Sequence, residues 1–187
     1  MVFLEEVLRK AIEKTREIIE EKSPNLENKD DIAEKVGVGA VIFQELSNNR
    51  IKDYTFSWEK TLAFEGETGP YVQYTHARAC SVLRKAGDVD FNDVNFSLLD
   101  SKEAMELVRL MSQLPQVVLD AARKFEPALI TRLTTDLAQA FNRFYHDCPI
   151  LVEDKEVAKA RLTLVKAARQ TIRNGLYLIT VAAPEKM

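Results

Sequence analysis

Beyond Pro70 the chain is written almost throughout in helical period, with apolar residues returning every three or four positions along one charged segment after another. Tyr71 to Ala86 opens just behind Pro70, close to the first-turn position that proline favours. Gly87 to Leu99 is polar and irregular. Asp100-Ser101-Lys102-Glu103 resembles a capping box and predicts a helix to about Gln113. Pro115 and Pro127 each predict a restart, because proline lacks an amide hydrogen and disfavours helix at the residue before it. The segments that follow them are Gln116–Phe125 and Ala128–His146. A last helix runs from about Asp154 through Val157, Leu164, Ala168 and Ile172, past Gly175, into Leu176–Ile179. No period of 20–50 residues recurs, so the chain is not a solenoid. Short loops between such helices favour an all-α, up-and-down bundle.

Upstream, the pattern is mostly helical but interrupted. Phe3, Leu4, Val7, Leu8, Ala11, Ile12, Thr15, Ile18 and Ile19 line one face of a helix of about five turns, ended by Ser23-Pro24-Asn25. A second helical stretch spans Ile32 to about Leu46. Gly37 and Gly39 inside it would let another backbone come close. Ser47 to Phe64 is irregular, with Asn48-Asn49 as a turn signal and Ser57 as a cap for a short helix. Glu65-Gly66-Glu67-Thr68-Gly69-Pro70 is the clearest break. It is the expected boundary between residues 1–65 and residues 66–187.

With 187 residues, 46% of them hydrophobic, the chain can bury roughly 70% of its unfolded surface without staples. No apolar run approaches the roughly 18 residues of a membrane span. The opening MVFLEEVLRKAIEK is too acidic for a signal or transit peptide. Two cysteines, Cys80 and Cys148, cannot make a disulfide framework, so a reducing compartment, the cytoplasm, is expected. Residues 1–34 hold ten acids against six bases, whereas residues 71–187 hold fourteen against sixteen. A polyanion would therefore meet local patches and not a whole-molecule field.

Candidate chemistry is sparse. His76 with Cys80, and His146 with Cys148, could supply four zinc ligands, but core packing and surface placement explain them more simply. There is no Gly-x-Ser-x-Gly elbow, no Gly-Lys-Ser/Thr phosphate loop and no conspicuous carboxylate pair. Aromatic and polar residues do interleave: Tyr71, Gln73, Tyr74, His76 and Arg78 on one helix, and Phe141, Asn142, Arg143, Phe144 and Tyr145 on another. Such mixtures suit unpaired RNA bases, which stack on rings and are read by amides. For Phe141 and Phe144 the spacing favours the core instead. Asn49-Arg50-Ile51-Lys52-Asp53-Tyr54 is either an RNA-facing loop or a solvated turn.

Three blocks in order, LSNNRIKDYTFSWEKTLAFEGETGPYVQYTHAR, DLAQAFNRFYHDCPIL and the ending APEKM, resemble the C-terminal part of the arginyl-tRNA synthetase family. The resemblance covers essentially the whole chain. It implies that residues 66–187 are a helical anticodon-binding domain of the DALR type. Residues 1–65 would be the tail of the class I catalytic region, running down the inner side of the tRNA. The family's HIGH and KMSK-type ATP-binding signatures are absent. The resemblance thus implies a piece of a longer enzyme, inactive alone and without a cofactor of its own, with ATP and magnesium belonging to the parent ligase. Its implied partners are arginine tRNA and the missing catalytic part, with no membrane and as a monomer. By resemblance Tyr71, Tyr145 and Met187 contact the anticodon; Gln73, Tyr74, His76, Arg78 and Asn142, from the interleaved aromatic and polar stretches, are further candidates. By resemblance Tyr145 lines the pocket for the middle anticodon base and Met187 closes it; some members place a tryptophan four residues after that tyrosine, where this chain has Pro149. The alternative is a helical protein-interaction module without an RNA role.

Overall fold

The computed structural model describes residues 3–49 and 51–187. Met1, Val2 and Arg50 lie outside the described residues, so the Arg50 of the Asn49–Tyr54 loop has no structural account. Among the described residues every regular element is helical. Helices α1 (Leu4–Lys22) and α2 (Lys29–Ser47) form a hairpin. On α1 only Ala11, Thr15 and Ile19 are buried, one per turn, as expected for a helix covered on one side. On α2 burial extends around the helix, from Ile32 and Ala33 to Val41 and Phe43, because α1 covers one side and the rest of the bundle the other. Both glycines of α2 sit at close approaches. A Cβ on Gly37 would stand 2.8 Å from the Ala11 backbone, and one on Gly39 2.8 Å from the Gln73 side-chain nitrogen.

A short helix, α3 (Trp58–Thr61), follows, with the Ser57 hydroxyl accepting from the Lys60 amide at 3.5 Å. Helix α4 (Gly69–Ala86) begins two residues earlier than its sequence suggests. The Thr68 hydroxyl caps it by accepting from the Tyr71 amide at 3.1 Å.

Helix α5 (Lys102–Lys124) corrects one expectation, for it runs straight through Pro115. Proline in a helix interior costs about 3 kcal/mol. The ring is exposed, and the helix on either side of it buries Leu107, Leu110 and Ala121 along α6. Burying a leucine side chain is worth about 1.5–3 kcal/mol, so a continuous packed face outweighs the broken hydrogen bond. Helices α6 (Ala128–Asp147) and α7 (Lys155–Leu178) complete the bundle.

Phe43 from α2, Val72 from α4, Leu107 from α5, Phe141 and Phe144 from α6, and Ile172 from α7 share one core. Phe141 and Phe144 are buried in it, as their spacing predicts. Helices α2 and α4 thus pack together across the Gly66–Pro70 break. A smaller cluster, built on Ile19, Ile32, Ala33 and Val36, lies between α1 and α2, and Met187 packs against it. Met187 reaches that cluster because α7 ends in a reversal. Thr180 takes a left-handed φ of 59°, and the Val181 amide returns to the Leu176 carbonyl at 2.9 Å. Residues 181–187 then run back along α4.

Candidate nucleic-acid interface

One face of α4 carries Tyr71, Tyr74 and Arg78, with the buried Thr75 beneath them, residues three and four apart in sequence and therefore neighbours along the helix. Opposite them, α6 presents Asn142 and Tyr145. The Asn142 side chain joins the two helices. Its amide nitrogen donates to the Tyr71 hydroxyl and to the Thr75 hydroxyl, both at 2.9 Å. Its oxygen accepts from the Arg78 guanidinium at 2.5 Å. Arg78, so held, lies over two rings at once, 4.9 Å from the centre of Tyr74 and 5.4 Å from that of Tyr145. A guanidinium over an aromatic face is attracted by the ring's quadrupole. Tyr145 is backed by Phe141, stacked at 6.3 Å.

Tyr74, Arg78, Tyr145 and Met187 line one open recess of about 420 Å³, with Ser81 and Arg84 further along α4. Tyr74 and Tyr145 are each 40% exposed, so part of each ring meets solvent at the recess. Tyr71 and Asn142 line a second, adjoining recess with Gln139 and Arg143. Tyr74 and Met187 also form one wall of an apolar pocket of about 280 Å³ that reaches down to Ile19, Ile32 and Val36.

Gln73 and His76 stand apart from the other candidates. They are 0% and 1% exposed and point into the protein, so neither offers a surface to RNA. The reason is helical phase: they occupy the side of α4 that residues 181–187 cover. The Gln73 amide nitrogen donates to the carbonyls of Lys35 at 3.0 Å and Ala182 at 2.8 Å. His76 Nδ1 lies 2.9 Å from the Pro184 carbonyl oxygen. Burial holds the His76 imidazole below its ordinary pKa and pushes the neighbouring Cys80 thiol up.

Cys80 Sγ is 3.8 Å from His76 Nε2, while Cys148 is buried beside the Ser101 hydroxyl at 3.2 Å and His146 pairs with Asp147 on the surface. Among the described residues no group of three or more His, Cys, Asp or Glu side chains is arranged to hold a metal. Pro149 does not line the recess, and its carbonyl accepts from Arg161 at 2.5 Å. Arg78 and Tyr74 stand at the recess instead. In the Asn49–Tyr54 loop, Asn49 donates to the Glu126 carboxylate at 2.9 Å and Tyr54 bonds to Glu45, which ties the loop to the bundle. Ser81 and Arg84 are not among the candidates read from sequence. The sequence signal for Ser81 is its place one turn beyond Arg78 on the same face, whereas Arg84 belongs to the side of α4 that faces residues 181–187 and reaches the recess from there.

A helical bundle whose recess is framed by rings and a guanidinium is suited to unpaired bases, and the comparisons with known proteins agree in kind. Residues 72–187 match the family described as DALR anticodon binding domain, and the chain belongs to that family. Residues 1–58 match the catalytic domain of tRNA synthetases class I (R). The chain is 58% identical to the arginine–tRNA ligase of Clostridioides difficile and 57% identical to that of Alkaliphilus metalliredigens, in each case over all of this chain and 33% of the relative. It therefore spans about a third of the length of the curated relatives it matches. Arginyl-tRNA synthetase of Thermus thermophilus superimposes with a TM-score of 0.92 at 34% identity, over all of this chain and 32% of that one. The arginyl-tRNA synthetase of Plasmodium falciparum, at 24% identity and a TM-score of 0.86, shares the fold, over all of this chain and 34% of that one.

Proposed function

We propose that this chain holds the anticodon loop of arginine tRNA, as the anticodon-recognising part of an arginine–tRNA ligase. The observation that carries the proposal is the convergence of Tyr74, Arg78, Tyr145 and Met187 on one recess, inside the segment that matches the anticodon-binding family. An unpaired base enters the recess and packs against the exposed part of the Tyr145 ring. Arg78 is the cation nearest the base, and Met187 closes the far wall. Tyr71, tied to Asn142, serves the adjoining recess, where a neighbouring nucleotide sits. Gln73 and His76 act on the pocket through residues 181–187 and make no contact with RNA.

The two parts of the chain divide the work. Residues 66–187 bind the anticodon loop, and residues 1–65 follow the inner side of the stem as the end of the catalytic region. The edges of the two family matches, at 58 and 72, support a boundary between them. Ligation of arginine, with its need for ATP and magnesium, belongs to the whole ligase. The 187 residues alone should give no arginine-dependent ATP–pyrophosphate exchange. The setting is the cytoplasm and the unit a monomer. Among the described residues no helix is long and apolar enough to cross a membrane.

The test is a gel shift with arginine tRNA against mixed tRNA at moderate salt. Preferential retention of arginine tRNA that weakens steeply as salt rises is expected, since each phosphate contact releases counterions. Equal retention of both samples overturns the proposal.

A further inference from the structure

Residues 181–187 have no helix or strand of their own, yet Val181 and Pro184 are buried. Main-chain groups taken out of water need partners, and for an irregular segment those must come from elsewhere. The Val181 amide bonds back to Leu176, and three carbonyls beyond it are met from a single stripe on α4. Gln73 donates to the Ala182 carbonyl, His76 meets that of Pro184 and Arg84 donates to that of Glu185 at 3.1 Å. Positions 73, 76, 80 and 84 are spaced by three, four and four, so they form one line along the helix. All three bonds go to main-chain oxygens, and they set the path of the segment whatever its side chains are. At the far end Met187 stands between the recess and the apolar cluster of α1 and α2.

Building on the proposed recess, we infer that His76 is a positioning residue that docks residues 181–187 as a strap, and that the strap places Met187 at the recess only while the imidazole is uncharged. To donate to Pro184, Nδ1 must carry a hydrogen. That leaves Nε2 of the neutral ring without a hydrogen, with Cys80 Sγ 3.8 Å from it and 3.9 Å from Nδ1. A second proton would put a cation where it has no exposed surface. The charged groups facing it are Arg169 and Arg173 from α7 and Glu185 from the strap itself.

Burial is the main cause of the lowered pKa. The Pro184 carbonyl opposes it, the two arginines add to it, and Glu185 opposes them. The folded value thus lies below the unfolded value of about 6.5. Docking is fully stabilised above that unfolded value and loses stability as pH falls from there through the folded value. Undocking relieves the charge, because it opens the imidazole to water.

The test labels the methionine methyl groups of the full chain with ¹³C and follows Met187, assigned through Met187→Leu, beside Met105 and Met111. His76→Leu should shift the Met187 signal to that of a free side chain and leave Met105 and Met111 in place. Affinity for arginine tRNA should fall roughly tenfold, the scale of one lost base contact. His76→Asn keeps a donor near the Nδ1 position without a titratable ring, and it should restore both. Between pH 7.5 and 5.5 the wild-type Met187 signal should move toward the free position and that of His76→Asn should not. An unmoved Met187 signal in folded His76→Leu overturns the strap. If His76→Leu does not fold, equal pH behaviour of wild type and His76→Asn overturns it. Release of Met187 with unchanged tRNA affinity upholds the strap and sinks the recess as the base site.

Discussion

The guanidinium of Arg78 lies 5.4 Å from the centre of the Tyr145 ring, and the two residues come from different helices 67 positions apart in the chain. Neither is placed by the other alone. Arg78 is held by Asn142, and Tyr145 is backed by the core ring of Phe141. The partly exposed pair is thus set on buried structure, which is what a site that must meet a base in a defined pose requires.

Tyr145→Ala should weaken binding of arginine tRNA by about 1–3 kcal/mol, the usual worth of one base–aromatic stack. The loss should largely vanish against a tRNA altered at the base that enters the recess, since the contact is then missing in both cases. Melting should change little, because the ring is 40% exposed. A large drop in melting temperature with a base-independent loss of affinity would count against the site.

Asn142→Ala should lower stability by about 1–3 kcal/mol, because it strips partners from Arg78, Tyr71 and Thr75 together in a half-buried position. Urea unfolding checks this. Combined with Tyr71→Phe, the losses should be less than additive, since both changes remove the same hydrogen bond.

Gly37→Ala should destabilise the α1–α2 hairpin by about 1–3 kcal/mol, the range for forcing extra atoms into a packed contact. The added Cβ would meet main-chain atoms of Ala11, which cannot swing aside as a side chain can. Thermal melting of the single variant is the measurement, and a melting temperature equal to wild type would contradict the close approach.

Residues 66–187 made alone should melt cooperatively but at a lower temperature than the whole chain. Their helices hold most of the main core, but Phe43 of α2 is 1% exposed against it, and emptying such a site costs about 3–5 kcal/mol. Absence of any cooperative transition would show that α2 belongs to the same folding unit as the bundle.

Asp136 has its pKa raised, first by burial and then by Glu67, with Arg132 and Arg143 opposing. A carboxyl whose folded pKa exceeds its unfolded value binds more protons when folded, so stability falls as pH rises through that window. Asp136→Asn removes this dependence. The variant should be at least as stable as wild type at neutral pH and lose that advantage in acid below the ordinary aspartate range. Urea midpoints at several pH values decide it, and a variant clearly weaker at neutral pH would show that the carboxylate is stabilising.

Helices and their faces were legible in the residues because helical period is local: Ala11, Thr15 and Ile19 declare one face of α1 without reference to anything else. The blocks around Tyr71 and Tyr145 likewise carry the family resemblance without reference to the fold. At Pro115 the sequence predicts a restart from a local rule, the lost hydrogen bond, which packing along the whole of α5 outweighs. The buried placement of Gln73 and His76 was equally invisible. Both are polar and stand among aromatic neighbours, and only the path of residues 181–187 decides which side of α4 is covered.

An all-helical chain, the Ser57 cap, the Gly/Pro break before α4 and the family resemblance can all be read from the residues alone, since each depends on residues within a few positions or on whole blocks of words. That His76 meets Pro184 across 108 positions, that Asn142 orients Arg78, and that Tyr74 and Arg78 join Tyr145 and Met187 at one recess depend on the tertiary structure. Period and capping act over one or two turns of chain. Whether a polar side chain is a surface contact or an interior latch depends on what a distant segment lays over it.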